Sequence, residues 1–211
     1  MAKMKKKYHK QIEPKVMQTP TPNFSSKRII ASGIDWVFGG IISGIPSVVF
    51  FAVLTKSSKP LTSMYQFESM GFSRNITILV SLICLLCGFC YYVIVPWKIF
   101  PGQTLGKHWL NLKIVHLNNQ RITLGGYCIR QFLILIFIEG AATATSTYIK
   151  VLVTTISRFY IDPYLRIIWF IVTLGSLILL FWSKKHLALH DILTKTTVID
   201  VFKSNNVEGG F

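Results

Sequence analysis

Charged residues are scarce in this chain, and acidic residues are the scarcest. Of its 211 residues, 15% are charged, whereas a soluble domain carries about 25%. Asp and Glu together number 8, while hydrophobic residues make up 51% of the sequence. This balance argues against a soluble globular protein and predicts a chain that places much of its length in lipid.

The apolar residues are gathered into four stretches with few charges. A helix needs about 20 apolar residues to cross the roughly 30 Å of hydrocarbon in a bilayer. The predicted spans are Ile34–Leu54, Ile76–Val95, Tyr127–Thr147 and Leu165–Trp182. They leave no room for a separate soluble domain, so the sequence predicts an all-α polytopic membrane protein with four transmembrane helices.

Basic residues are distributed unevenly around these spans. If the N-terminus is cytoplasmic, most of the 23 Lys and Arg residues fall on the cytoplasmic side, as the positive-inside rule requires. The basic residues left outside are Lys56, Lys59, Arg74, Lys150, Arg158 and Arg166. We therefore expect a multi-pass protein of the cell membrane, with both termini in the cytoplasm and its basic surplus against an anionic inner leaflet. The net charge of +15 needs no nucleic-acid partner, since no nucleic-acid-binding motif accompanies it.

The ends of the chain differ from its middle in composition. Residues 1–27 are rich in Lys, Gln and Pro and predict a disordered basic cytoplasmic tail. No cleavable signal peptide is expected there, because the segment lacks an apolar core. Residues 28–202 form the predicted membrane domain, and residues 203–211 are expected to be a flexible tail.

The segment between the second and third spans predicts a small cytoplasmic β-hairpin. Trp109–Leu117 partly alternates between apolar and polar residues, and Arg121–Leu124 could return as the second strand. The β-branched run Thr196–Val201 could add a third strand. Ser183–Lys195 is predicted to be a short interfacial helix. Ile149–Ile161 either lies along the outer interface or lengthens a tilted third span, and the sequence leaves both alternatives open.

Three clusters of residues suggest a nucleotide or metal site, but their spacing and surroundings argue against one. Gly102–Lys107 resembles a phosphate-binding loop, but it is one residue short and follows a membrane helix, so a tight turn is preferred. Cys84, Cys87 and Cys90 fan across a helix face inside an apolar span, which favours packing over metal binding. His186 and His190 share a helix face without the glutamate of a zinc protease. We therefore predict no metal, no cofactor and no enzymatic activity.

A set of charged and small residues at the cytoplasmic ends of the spans carries a more specific likeness. These residues are Arg28, Asp35, Gly102, Thr104, Gly106, Lys107, His190 and Asp191. With them the chain resembles the RDD family of bacterial multi-pass membrane proteins, named for one arginine and two aspartates. The resemblance implies that Asp191 is the second aspartate. It also suggests transport, because cation/proton antiport has been ascribed to some similar proteins.

Charges at membrane depth need partners, because an unpaired charge in lipid is costly. Asp35 and Arg130 are predicted at similar depths, and so are Arg28 and Asp191, which makes these the expected pairs. Such pairs either fix helix packing or form part of an ion or proton path. Glu139, near the middle of the third span, must be protonated, paired or facing a wet cavity, and it is a candidate ion or proton site together with Asp35.

Two function classes follow from these observations. The first is small-solute or cation/proton transport through a charged helix bundle. The second is a non-transporting accessory, assembly or immunity protein, supported by the small size, the missing internal repeat and the basic cytoplasmic segments. That second class implies a membrane or cytoplasmic protein partner, and a homo-oligomer is compatible with either class.

Overall fold

A computed structural model describes residues 24–56, 59–118, 122–183 and 186–201, which are mostly helical and contain one two-stranded sheet. Residues 1–23 of the predicted tail 1–27 and all of the predicted tail 203–211 lie outside these ranges, and residues 24–27 belong to the first helix. Among the described residues, three helices are long and apolar enough to cross a membrane, namely Phe24–Thr55, Arg74–Ile99 and Asp162–Trp182.

The first helix, α1 (Phe24–Thr55), begins four residues before the predicted membrane domain. Its buried side repeats every three or four residues and is rich in small or polar residues, whereas large apolar residues such as Ile41, Ile45 and Val49 are exposed. Ser43 satisfies its hydroxyl by donating to the backbone carbonyl of Gly39. This inverted pattern is expected for a helix that turns apolar side chains to lipid and small residues to its neighbours.

The second long helix changes its winding toward its C-terminal end. After the short α2 (Gln66–Ser69), α3 (Arg74–Phe89) continues as a π-helix over Cys90–Ile99. The helix therefore extends four residues beyond Val95, the end of the predicted span, and includes Pro96. A π-helix places the proline, which has no N–H to donate, in a wider turn with a different hydrogen-bond pattern, so the chain continues to Ile99.

The third apolar segment is broken rather than continuous. Helix α5 (Leu124–Tyr127) continues as a π-helix over Cys128–Ile138, two 3₁₀ turns follow at Gly140–Ala142 and Ala144–Ser146, and α6 begins at Thr147 and ends at Ser157. The helix Leu124–Ile138 is apolar but shorter than the three long helices.

The break in the third segment is supported by the last long helix, α7 (Asp162–Trp182). Trp169 donates its indole N–H to the carbonyl of Phe137 at 2.9 Å, and Thr173 donates to the carbonyl of Glu139 at 3.2 Å. A Cβ on Gly140 would stand 2.2 Å from the Trp169 ring, so the close approach requires glycine. These side chains replace the backbone bonds that the helix loses at its break.

Helix α6 resolves part of the ambiguity over residues 149–161. It is a separate helix, and its Tyr148 and Val151 pack in one buried cluster with Phe51 of α1 and Val80 and Cys84 of α3. It does not extend the Leu124–Ile138 helix in a straight line, because the 3₁₀ turns intervene.

The segment after the second long helix forms a sheet with a different partner from the predicted hairpin. After α4 (Leu105–Trp109), β1 (Leu112–His116) pairs antiparallel with β2 (Thr196–Asp200), so that Leu112 faces Asp200 and His116 faces Thr196. The return strand predicted at residues 121–124 is wrong. Thr123 instead caps α5 by accepting from the Gly126 N–H, which favours helix at that point.

The C-terminal segment reaches this sheet through α8 (Leu189–Thr194), a shorter helix than the one predicted over residues 183–195. Leu112 and Ile114 of β1 and Val198 of β2 share a buried cluster with Ala31 and Tyr127. The sheet is therefore packed against the bundle at the end that carries Arg28, Asp35 and the start of the third segment.

Candidate functional site

Asp35 is the centre of a buried network of hydrogen bonds between α1 and the segment that follows the second long helix. We call this network the first knot. Its carboxylate accepts from the Tyr91 hydroxyl at 2.9 Å, the Thr104 hydroxyl at 2.5 Å, the Gly106 N–H at 2.9 Å and the Lys107 ammonium at 2.9 Å. Every lone-pair region of the carboxylate is thus engaged, and one partner is a cation. This is how a buried charge is made tolerable.

The backbone of the Gly102–Lys107 motif is shaped to reach Asp35. Gly102 has a φ of +86°, and its N–H donates to the carbonyl of Pro96 at 2.8 Å, which turns the chain away from the helix end. At Gly106, a Cβ would stand 2.3 Å from the Ala31 carbonyl oxygen and 3.0 Å from an Asp35 carboxylate oxygen. The predicted tight turn is therefore present, and its lysine binds an aspartate of the protein.

Asp191 is the centre of a second knot, contributed by α8. Its two carboxylate oxygens bond Arg28 and Arg130, one guanidinium on each oxygen. Arg28 also donates to the His186 carbonyl at 2.7 Å, and Arg130 donates to the Thr196 hydroxyl at 3.0 Å. Burial by itself would raise the pKa of Asp191, but the two arginines outweigh it and hold the pKa well below the ordinary range.

One of the two predicted charge pairs is wrong. Arg28 does pair with Asp191, but Asp35 pairs with Lys107, and Arg130 joins Arg28 on Asp191. The depth argument put Asp35 and Arg130 together because it considered only residues in the spans. It could not anticipate that the chain after Ile99 folds back and brings a lysine to Asp35.

Glu139 lies at the end of the π-helix, where the third segment breaks. Its carboxylate accepts from the backbone N–H of His190 at 3.0 Å and lies 3.1 Å from the His190 ring Nδ1. Among the described residues, His190 is the only ionisable side chain within ion-pair distance of this carboxylate. Glu139 is therefore paired, as one of the sequence alternatives required, but with a histidine and not with a fixed cation.

Asp35, Glu139 and the two arginines that bond Asp191 line one cavity of about 280 Å³ between α1, α7 and the Leu124–Ile138 helix. Its polar wall holds residues from both knots and from the helix break, namely Arg28, Asp35, Lys107, Arg130, Gln131, Glu139 and His190. Exposed apolar residues of α1 and α7, such as Trp36 and Leu177, form its outer rim. The rest of the lining is mainly apolar, so these polar and charged side chains face a cavity with largely apolar walls.

Two groups of residues that the sequence analysis considered as metal ligands, the three cysteines and His186, do not line the cavity. Cys84 is buried among apolar residues, while Cys87 is half-buried and Cys90 is exposed. The backbone carbonyl of His186 accepts a hydrogen bond from Arg28, and its ring Nδ1 lies 3.0 Å from the Leu180 carbonyl. Within the described residues, no group of three or more metal-binding side chains is clustered.

Several residues of the site were missed by the sequence reasoning. Tyr91 and Tyr92 bond the carboxylate and the carbonyl of Asp35, and Gln131 lies on the cavity wall. The sequence could have indicated Gln131, because a polar amide next to Arg130 in an apolar run marks a candidate functional residue. The tyrosines carried none, because aromatic residues are ordinary near a membrane interface.

The knots and the cavity contain all the residues on which the family likeness rests. Comparisons with curated proteins and with solved structures find no match for this chain. The family model of the RDD family matches residues 24–195, a range that includes both knots, the Glu139–His190 contact and all three long helices. The chain therefore belongs to the RDD family of membrane proteins.

Proposed function

We propose that this protein is a transporter that exchanges a small solute or cation for protons across the cell membrane. The observation that carries the proposal is the position of Glu139. This buried carboxyl lies at a helix break, on the wall of a cavity that also holds other charged side chains, and it contacts a histidine. Carboxyl and histidine groups in such places are typical of proton relays in membrane proteins.

Glu139 suits proton transfer better than the two aspartates of the knots. Asp35 and Asp191 are each bonded by a lysine or by arginines, which act as fixed counter-charges to their carboxylates. The partner of Glu139 is an imidazole, the side chain that most often serves as a proton shuttle in proteins. The pair can therefore pass a proton without stranding a permanent charge.

The proposal includes a four-span topology with both termini in the cytoplasm. The third crossing would combine the Leu124–Ile138 helix with α6, joined by the 3₁₀ turns. Broken helices of this kind are tolerated at membrane depth where the irregular backbone is buried in protein or lines a cavity. Contacts between Tyr65 and Asp162, and between Glu68 and Arg158, lie at the opposite ends of the long helices from Arg28 and Asp191, as this topology requires.

Purified protein in liposomes tests the proposal. Vesicles containing a pH-sensitive dye receive an outward or inward gradient of Na⁺ or K⁺, or of a small solute, and the internal pH is followed. We expect proton movement with the wild type and its loss with Glu139→Gln, which keeps the size but cannot carry a proton. The control is Glu68→Gln, an acidic residue outside the cavity, which should retain the wild-type rate. Full proton movement by Glu139→Gln would contradict the proposal.

The second candidate is an accessory membrane protein that acts by binding a partner. The knots favour it, because a carboxylate that accepts four hydrogen bonds and another that bonds two arginines are what a rigid scaffold needs. Under this reading, vesicles with the wild-type protein show no gradient-driven proton movement. A specific partner would then be recovered by crosslinking in the host membrane.

A further inference from the structure

The side chain of Gln131 is the least satisfied polar group on the cavity wall. It is 1% exposed, and neither its amide nitrogen nor its amide oxygen has a hydrogen-bond partner among the described residues. A buried amide without partners is costly, and such groups in native proteins call for an explanation. Gln131 lines the cavity, but both amide atoms are buried in its wall, so a molecule held there satisfies them once the side chain turns its amide toward the cavity.

Arg130, the next residue on the same helix, adds an unused donor. Its Nε bonds Thr196 and one terminal nitrogen bonds Asp191. The other terminal nitrogen has no bond to any residue in the described part of the chain. The same wall of the cavity therefore offers donors from Arg130 and Gln131 and one acceptor from Gln131.

Of the two substrates in the proposed exchange, the charges around the cavity favour a small solute over a cation. Arg28, Lys107 and Arg130 are matched by Asp35 and Glu139 on the wall and by Asp191 directly behind it. The three positive and three negative formal charges of these six groups sum to zero. A ligand with a net charge would add an uncompensated charge at low dielectric, whereas a net-neutral ligand adds none.

The size and walls of the cavity limit the ligand further. A volume of about 280 Å³ lies just below the roughly 300–1,000 Å³ of sites for drug-sized ligands. Leu135, Leu177 and Leu180 supply an apolar wall beside the polar one. A suitable ligand therefore has a short polar end and a small apolar body.

We propose that the cavity binds a small, net-neutral solute that carries an oxygen acceptor beside an N–H donor, held by Arg130 and Gln131. Zwitterionic α-amino acids and primary carboxamides share this chemistry. In either case the ligand oxygen accepts from Arg130 and the Gln131 amide nitrogen, and the ligand N–H donates to the Gln131 oxygen. The inference rests on the proposed transport function only in naming the transported solute, since binding itself needs no transport.

A matched set of four probes tests the assignment on the purified full-length protein in detergent micelles. The probes are leucine, 4-methylpentanamide, 4-methylpentanoate and isopentylamine, which share an apolar body and differ in the polar end. We expect leucine or the amide to raise the unfolding temperature in a saturable way, with the other two at least ten-fold weaker. Stronger binding of the acid anion or the amine cation would overturn the net-neutral assignment. Absence of binding by all four would show a cavity that holds water only and would also overturn it.

Two variants and a control locate the site. Gln131→Met keeps the length of the side chain and removes both polar atoms, so it should weaken binding at least ten-fold without lowering the unfolding temperature. Ala142→Leu, which narrows the cavity from another wall, should do the same and serves if the first variant does not fold. The control is Thr77→Val, which removes a buried unpartnered hydroxyl that does not line the cavity. Unchanged binding in both cavity variants would contradict the site.

The outcomes for binding and for transport are separable, because binding is measured without a gradient. Intact proton movement with no probe binding overturns only the solute assignment. Probe binding by a protein that moves no protons overturns only the transport function and leaves the binding site in place.

Discussion

At the scale of single residues, the two buried aspartates illustrate how this protein carries charge in an apolar bundle. Each carboxylate is matched by cationic partners that arrive from a distant part of the chain, Lys107 for Asp35, and Arg28 and Arg130 for Asp191. Removing one member of a buried ion pair typically costs about 3–5 kcal/mol, because the other charge is left without compensation. The knots therefore make the bundle depend on the segments that supply those partners.

The pairing of Asp35 can be measured by a double-mutant cycle. We expect Asp35→Asn and Lys107→Gln each to lower the free energy of unfolding in detergent, and the double variant to lose less than the sum. The coupling should lie at about 0.5–3 kcal/mol, the usual range for residues in contact. The reference cycle combines Asp35→Asn with Arg130→Gln, which are not bonded to each other. A larger coupling energy in the reference cycle would mean that Asp35 pairs with Arg130 and not with Lys107.

At the scale of elements, close packing of the turn after Ile99 against α1 holds the first knot together. Gly106 brings its backbone N–H to the Asp35 carboxylate, and this approach leaves no space for a side chain. The third segment shows the same dependence, since Gly140 lets Trp169 reach the carbonyl that the helix break exposes. In both places a small residue permits a bond that replaces regular helix.

A pair of alanine substitutions tests the tight approach of the turn. In Gly106→Ala the new Cβ would lie 2.3 Å from a backbone oxygen, so the turn must shift away from α1. We expect a loss of at least 1–3 kcal/mol in unfolding free energy, the usual cost of overpacking. Gly175→Ala in α7 has no atom within 4 Å of the new Cβ. Its unfolding temperature should stay the same or rise, because alanine is the better helix former. Equal stability of the two variants would contradict the packing.

At the scale of the whole molecule, polar contacts are gathered at the two ends of an apolar bundle. One end holds both knots and the sheet, and the other holds the Glu68–Arg158 and Tyr65–Asp162 contacts. The exposed side chains between them are largely apolar, such as Ile41, Val49 and Phe170. This arrangement fits a bilayer with one end on each side, as the proposed topology requires.

Cysteine labelling in whole cells tests which end faces outward. In a background without the four native cysteines, we expect Pro60→Cys and Tyr160→Cys to react with an impermeant maleimide from outside. Asn118→Cys should react only after the membrane is opened, because it follows β1 on the cytoplasmic end. The native cysteines to be replaced by alanine are Cys84, Cys87, Cys90 and Cys128. Labelling of residue 118 in intact cells would contradict the orientation.

The sequence was sufficient for the properties that depend on composition and length. Of the four apolar runs that predict spanning helices, three correspond to the long helices, and the scarcity of charge predicts the membrane environment. The Arg28–Asp191 pair also followed from the sequence, because the family likeness marked both residues as important and both had to lie at the same interface. These features depend on local chemistry that each segment carries by itself.

The tertiary structure alone decided which distant groups meet. Pairing β1 with β2 draws the C-terminal segment to the bundle, and α8 then places Asp191 between two arginines and His190 against Glu139. The fold-back after Ile99 likewise gives Asp35 its lysine. No local pattern encodes these contacts, because each joins segments far apart in the chain and depends on the crossing of helices. The helix break at Glu139 is also a tertiary feature, because the backbone carbonyls beside it accept hydrogen bonds from Trp169 and Thr173 of α7.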